Sequence, residues 1–331
     1  MRAPDFWHRP ESAVGAMLAP FGALYDTAGQ LRSALTRAQR LPRSVICIGN
    51  LTAGGAGKTP TAIAIARWFL ARGKTPHILT RGYRARAAGP LRVDPDRHGF
   101  RDVGDESLLL AAIAPTWIGG NRIASGLAAC DAGADLLVMD DGLQNPTLAK
   151  DLSLVVVDGG YGIGNGRVFP AGPLRESVAH GLTRVDAAVM IGADATGLSR
   201  VFASRLPMLE ARLVPNPSAS ALAGKRVLAV AGIGRPSKFF ATLEGLGTTV
   251  VKRVAFDDHH AYHADEIMRL VEEAQVLEAQ LVTTEKDFVR FPLEARPMAT
   301  AVPVHIEWSD EEALERLLSP FLRADGLRPH A

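Results

Sequence analysis

Residues 49–59 read Gly-Asn-Leu-Thr-Ala-Gly-Gly-Ala-Gly-Lys-Thr and lie between an apolar run and a helical pattern. Glycines let backbone N–H groups turn inward around phosphate oxygens, and the N-terminus of a following helix adds partial positive charge. Thr52, Ala53, Gly54, Gly55, Ala56, Gly57, Lys58 and Thr59 are therefore the nucleotide-binding candidates. Lys58 is placed to reach the β- and γ-phosphates, and Thr59 to hold Mg²⁺ through its hydroxyl. Thr52 stands where such loops usually begin with glycine, so Gly54 and Gly55 are expected to supply the flexibility. A tight strand–helix turn without a ligand is the competing explanation, and it leaves the Gly-Lys-Thr triplet unexplained.

Residues 136–141, Leu-Leu-Val-Met-Asp-Asp, supply the second half of such a site. An apolar strand ending in carboxylates delivers an acid to the carboxyl edge of a sheet, beside the phosphate loop, where Asp140 can bind Mg²⁺ directly or through water. Other polar segments remain open from their residues alone. Arg81-Gly82-Tyr83-Arg84 follows a strand. Asp105, in Gly104-Asp105-Glu106, could be a helix cap, and Arg122 starts the next helix. The 165–176 loop, with its Pro-Ala-Gly-Pro-Leu-Arg-Glu end, reads equally as a surface loop. Asp257-Asp258-His259-His260 is a weak metal signal, because adjacent histidines cannot share one helical face. Thr283-Thr284-Glu285-Lys286-Asp287 lacks the residue that guanine-reading segments place between Lys and Asp, which disfavours guanine specificity.

These groups need an α/β scaffold to hold them. Strands are predicted at 44–48, 77–80, 136–139, 152–157 and 187–191, with helices at 59–71, 106–114 and 123–132, the pattern of a mostly parallel sheet with helices on both faces. After an alternating run at 209–214 and a Pro-rich break, a second, smaller set follows: strands at 227–231, 249–254, 281–284 and 302–306, with helices after Pro236, at 264–279 and near 311–322. The expected organisation is an N-terminal segment at 1–40, a P-loop core at 41–215 and a second α/β domain at 222–331 closing over the nucleotide site.

Composition narrows the class. The 331 residues are 47% hydrophobic and 22% charged, with net charge +2, which suits a globular protein and gives no nucleic-acid signal. Cys47 and Cys130 are too few and too scattered for a disulfide framework. No apolar stretch is long enough for a transmembrane helix. The run at 13–25 is apolar but interrupted by Gly15, Pro20 and Gly22, and Arg32, Arg37, Arg40 and Arg43 follow it. It fits a helix on an anionic membrane surface, or equally one packed on the protein's own core.

Taken together, the segments resemble the tetraacyldisaccharide 4'-kinase family. The resemblance rests on 49–52 running into 54–60, Arg81-Gly82-Tyr83, Gly104-Asp105-Glu106, Asp140-Asp141-Gly142-Leu143-Gln144, residues 170–176, Asp258-His259 and 284–287, in the family's order. It implies ATP- and Mg²⁺-dependent phosphorylation of the 4'-hydroxyl of an acylated glucosamine disaccharide 1-phosphate, giving lipid IVA at the cytoplasmic face of a Gram-negative inner membrane. The protein is then expected to be peripheral or monotopic, with no obligate protein partner. By the same resemblance Asp105 and His259 form a catalytic dyad, assisted by Lys58. Asp140, Asp141 and Glu176 join Thr59 around Mg²⁺, and Arg81, Tyr83, Arg122 and Gln144 lie toward the substrate. Asn145 stands where the family usually has histidine. The alternative function is a membrane-associated P-loop switch ATPase with a protein partner.

Overall fold

Five- to seven-residue apolar runs in this chain are buried along their whole length, as strands covered by helices on both faces require. The structure is a computed structural model and describes residues 4–83, 85–87 and 89–323; Arg84 and the ends of the chain lie outside them. The strands are β1 Val45–Gly49, β2 Pro76–Thr80, β3 Leu91–Arg92, β4 Thr116–Ile118, β5 Leu136–Asp140, β6 Leu152–Asp158, β7 Ala187–Ile191, β8 Met208–Pro215, β9 Arg226–Ala231, β10 Thr249–Ala255, β11 Gln280–Thr284, β12 Thr300–Val302 and β13 Val304–Trp308. The helices are α1 Ala13–Leu35, α2 Lys58–Leu70, α3 Phe100–Val103, α4 Asp105–Ala111, α5 Arg122–Asp131, α6 Val178–Leu182, α7 Leu198–Ala203, α8 Pro236–Gly245, α9 Ala264–Val276, α10 Glu285–Phe288 and α11 Glu311–Leu318.

Among the described residues, nine strands form one sheet in the order β13-β8-β7-β6-β1-β5-β2-β4-β3, and four form a second in the order β10-β9-β11-β12. The first is parallel except for the outermost pair at each end, β13 with β8 and β3 with β4; the second is wholly parallel. Parallel strands with crossovers put every strand-to-helix loop on one edge. In the first sheet that edge carries the 50–57 loop, Asp105, Arg122 and Asp140. In the second it carries Gly232, His259 and Lys286.

One expectation is corrected here. A single strand at 302–306, followed by a helix, was assigned to the second domain. The chain instead splits at Pro303: β12 closes the second sheet and β13 returns to pair with β8 in the first. Proline has no N–H to continue a ladder, and its carbonyl accepts from Asn216 N at 2.9 Å, so the outgoing and returning crossings lie side by side. Ile306, Leu314, Leu318 and Phe321 accordingly pack in the core beneath α2 with Ile65 and Phe69.

α1 is amphipathic in the reverse sense of an ordinary surface helix. Gly15 and Gly22 are buried, and a Cβ on Gly22 would lie 2.6 Å from the Val168 carbonyl oxygen. Asp26 on the same face accepts from Ser177 N at 3.0 Å. The opposite face exposes Val14, Met17, Phe21, Leu24, Leu31 and Leu35, spaced three, four or seven apart and so along one stripe.

Candidate active site

β1 delivers the phosphate loop, and α2 begins at Lys58. Gly57 adopts φ +92°, and a Cβ there would strike Ile191 Cδ1 at 2.4 Å, so glycine is required on both counts. Thr52 needs no such freedom. It is buried and forms an antiparallel bridge with Leu174, while Ala53 N donates to Pro173 O at 2.7 Å. The 170–176 segment is thus the strap that braces the phosphate loop, which explains why threonine is tolerated where glycine usually stands.

Thr59 Oγ1 donates to Asp140 Oδ2 at 3.0 Å. The other oxygen, Asp140 Oδ1, is buried without a hydrogen-bond partner. Burial, followed by the charges of Glu106 and Asp141, pushes the Asp140 carboxyl up to about 7. An orphaned, desolvated carboxylate oxygen beside a threonine hydroxyl fits a hard divalent cation. Asp141 and Glu176, expected in the same ligand set, are engaged elsewhere. Asp141 accepts from Arg175 at 2.8 Å and lies 3.7 Å from Lys58 Nζ. Glu176 pairs with Arg184 and accepts from Gln144 at 2.9 Å. Among the described residues, no three His, Cys, Asp or Glu side chains converge on one metal position.

Asp105 and His259 meet across the two sheets, although 154 positions separate them. Gly104 joins α3 to α4 at φ +87°, where a Cβ would lie 2.7 Å from the Tyr83 carbonyl oxygen; this sets Asp105 at the first position of α4. His259 follows β10 with φ +60°, a strained conformation for a residue with a side chain. His259 Nδ1 lies 2.8 Å from Asp105 Oδ2. Burial alone would raise the Asp105 carboxyl, but the hydrogen bond from His259 and the charges of Lys286, His259 and Arg290 overcome it and hold it at about 2. The pair opens into a cavity of about 250 Å³ lined also by Tyr83, Arg86, Phe100 and Arg101.

The residues expected toward the substrate divide. The Tyr83 ring centroid lies 5.4 Å from that of His259. Arg122 is buried on the sheet edge, bonded to Gly119 O, with Nε lacking a partner. Burial and the charge of Arg81 lower it to about 10, against the opposing pull of Asp141 and Asp140. Arg81 itself is exposed. Gln144 is committed to the scaffold: its amide donates to Asn50 O and Glu176, both at 2.9 Å, and its oxygen accepts from Arg175. Asn145, the departure from the family pattern, caps its own turn by accepting from Thr147 N at 3.0 Å and Leu148 N at 3.2 Å. His260 bonds Glu266 and stacks on Phe256, away from any metal arrangement. Asp287 is fully buried and bonds Gly232 N and Tyr262 within its own domain, so it faces no purine base.

Sequence reasoning gave no role to several cations. Arg175 and Arg184 hold the two carboxylates described above. Arg235 reaches from the second domain to Gly55 O at 2.8 Å and to Asp158. Lys286 and Arg290 surround the Asp105–His259 pair. Their signal was present for Lys286, a charge just past an apolar strand of the second sheet. For Arg235 and Arg290 no local pattern existed.

Residues 14–323 match the model of the family described as tetraacyldisaccharide-1-P 4'-kinase. A tetraacyldisaccharide 4'-kinase of Rhodospirillum centenum is 51% identical over 97% of this chain and 97% of its own length. One of Rhodospirillum rubrum is 50% identical over 97% of this chain and 98% of its own. Among solved structures, LpxK from Aquifex aeolicus in complex with ATP superposes with a TM-score of 0.75 at 25% identity, covering 93% of this chain and 99% of that one.

Proposed function

Because the chain belongs to the tetraacyldisaccharide-1-P 4'-kinase family, and so is a kinase that phosphorylates the lipid A precursor, we propose that Asp105 and His259 activate the 4'-hydroxyl of tetraacyldisaccharide 1-phosphate for attack on the γ-phosphate of ATP, giving lipid IVA. The contact between these two residues, facing a cavity on the edge that carries the phosphate loop, is the observation that carries this reading. A switch ATPase with a protein partner has no use for such a pair, and the family assignment sets it aside.

The phosphate-loop amides not already spent on Pro173 and Gly54, with Lys58, cradle the triphosphate. Holding reactants in line supplies most of the acceleration in phosphoryl transfer. A secondary sugar hydroxyl is a poor nucleophile while protonated, and the Asp105 carboxylate, kept ionised by its surroundings, takes that proton in the transition state. His259 donates from Nδ1 and fixes the carboxylate's orientation. Mg²⁺, held by Thr59 and Asp140, would neutralise charge on the phosphate oxygens. Asp141 and Glu176 would join it only by giving up their ion pairs with Arg175 and Arg184. Tyr83 lines the cavity beside His259, and the positive charges of exposed Arg81 and buried Arg122 on the same sheet edge suit an anionic sugar.

The acceptor's acyl chains require a lipid surface. Among the described residues no helix is long and apolar enough to cross a membrane. The outward apolar stripe of α1, followed by Arg32, Arg37, Arg40 and Arg43, suits a helix lying on an anionic bilayer, the inner membrane's cytoplasmic face in our reading. We assign 1–40 to this role, 41–215 together with β13 and α11 to the P-loop core, and the remainder to a domain covering the acceptor site.

The test supplies γ-labelled ATP and tetraacyldisaccharide 1-phosphate. Label in the organic phase, on the 4'-oxygen, is expected. Label released only as free phosphate would contradict the reading.

A further inference from the structure

The phosphate loop is held at both ends more firmly than at its tip. Thr52 and Ala53 are tied to the strap, and Gly57 sits against Ile191 where α2 begins. Between them Gly54 and Gly55 are exposed, and a Cβ on either would meet nothing within 4 Å. Glycine loses more conformational freedom on ordering than any other residue, so an unpacked glycine tip is costly to hold in one shape. Two restraints come from the loop's own domain: Ala56 N donates to Gly54 O at 3.1 Å, and the Asn50 amide lies 3.4 Å from the same oxygen. A further restraint crosses from the second sheet. Arg235 Nη2 donates to Gly55 O at 2.8 Å, over 180 positions of sequence.

Local sequence aims that arginine. Pro236 opens α8, where its missing N–H leaves no bond unmade. Proline also disfavours the helical region for the residue before it, and Arg235, at φ −138° and ψ 79°, stands just outside the helix. Phe239, Phe240 and Leu243 seat α8 in the second domain's core, so its first turn projects from a fixed base. Arg235 and Lys238, three apart, lie on one side of that turn, and both donate to Asp158. Asp158 is buried at the end of β6, the strand beside β1, and its other oxygen accepts from Gly160 N at 3.0 Å. Burial alone would raise the Asp158 carboxyl, but the hydrogen bonds from Lys238 and Arg235 hold it below the usual carboxylate range. One guanidinium nitrogen, with two N–H donors, thus bridges a fixed carboxylate and the loop tip. Lys238 grips the same carboxylate, and its bond there does not involve the loop.

We propose that Arg235 is a positioning residue for ATP: aimed by Asp158, it holds the Gly55 carbonyl from the second domain and keeps the tip of the phosphate loop shaped for the triphosphate before ATP arrives. The proposal rests on the reading of residues 52–59 as the ATP phosphate loop. A loop ordered in advance lowers the cost of binding and leaves the reacting atoms as they were. The expected signature is therefore a loss of ATP affinity with kcat retained.

The test uses the full-length enzyme, in which Arg235 and Lys238 are both partly exposed and can be replaced without opening a core. Arg235→Met should raise the KM and the Kd for ATP by about tenfold, the worth of one hydrogen bond from a charged donor. Its kcat and its KM for the acceptor should stay within about twofold of the parent. Lys238→Met removes a cation from the same carboxylate and no contact with the loop, so its KM for ATP should stay within about twofold of the parent. Parental ATP affinity in Arg235→Met would overturn the proposal. So would an equal loss in Lys238→Met, which would make the effect one of charge between the domains. A loss confined to kcat would overturn it too, because Arg235 would then act on the transferring phosphate and not on the loop. Lys58→Ala separates the proposal from the reading beneath it. If turnover survives Lys58→Ala, the loop reading and the proposal fall together. If Lys58→Ala is crippled while Arg235→Met binds ATP as the parent does, only the proposal falls.

Discussion

The carboxyl edges of the two sheets face each other, yet they are built by different means. On the nine-stranded sheet, one continuous segment, 52–59, supplies the phosphate loop, and β5 runs straight into Asp140. On the four-stranded sheet the relevant groups are single side chains from separate loops, Arg235, His259, Lys286 and Arg290. They gain meaning only by touching the first sheet's Gly55, Asp105, Asp158 and Glu106. The first edge is a binding site made by backbone geometry. The second is an orienting wall made by charge. Substitutions on the two edges should therefore fail in different ways.

The largest effect belongs to the first edge. Lys58→Ala should reduce turnover by on the order of 10³-fold, the upper range for removing one donor that stabilises transition-state charge. Its unfolding temperature should change little, because Lys58 lies in the loop and contacts Asp141 only at 3.7 Å. A folded Lys58→Ala enzyme with near-parental turnover would break the assignment of the loop.

How each edge reads from the sequence follows from the same contrast. The phosphate loop was legible because neighbours in sequence are neighbours in the site, and β5 because a strand buried on both faces must be apolar until its carboxylate. Thr52 looked like a defect until its bridge to Leu174 showed that the strap, and not backbone freedom, shapes the loop there. The return of 304–318 to the first sheet was hidden: β12 and β13 are separated by one proline, and nothing local says that the chain changes sheets there. Glu176 and Gln144 are carboxylate and amide groups suited to a site, but Arg184 and Asn50 claim them, and such partners are set by tertiary packing. The apolar run within α1 was plain; the direction it faces depends on Gly15 and Gly22 seating the opposite side on 165–175.

Next in size are the single substitutions on the facing edges. Asp105→Ala and His259→Ala should each lower kcat by about 10²-fold or more, the range for loss of a general base. ATP affinity should hold in both. If Asp105 were only a helix cap, its loss would cost roughly 1 kcal/mol of stability and spare kcat.

The smallest effect tests a surface outside both edges. Removing residues 1–30 would also remove Trp7, whose indole donates to Pro170 O at 3.2 Å in the strap, so exposed positions make the cleaner test. Met17→Gln, Phe21→Gln and Leu24→Gln together should weaken sedimentation with anionic vesicles by at least about tenfold, since a fully buried apolar side chain is worth roughly 2 kcal/mol and these insert in part. Turnover of a short-chain soluble acceptor should be nearly unchanged. Equal sedimentation of parent and variant would remove α1 from the membrane surface.

The central claim is that Asp105 and His259 act as one unit across the two edges, and a double-mutant cycle on kcat tests it most directly. Members of a unit are non-additive, because either loss disables both. With all proteins verified as folded, Asp105→Ala/His259→Ala should be no more than a few-fold slower than the poorer single variant. Losses that multiply to about 10⁴-fold, or either single variant within a few-fold of the parent, would contradict the account.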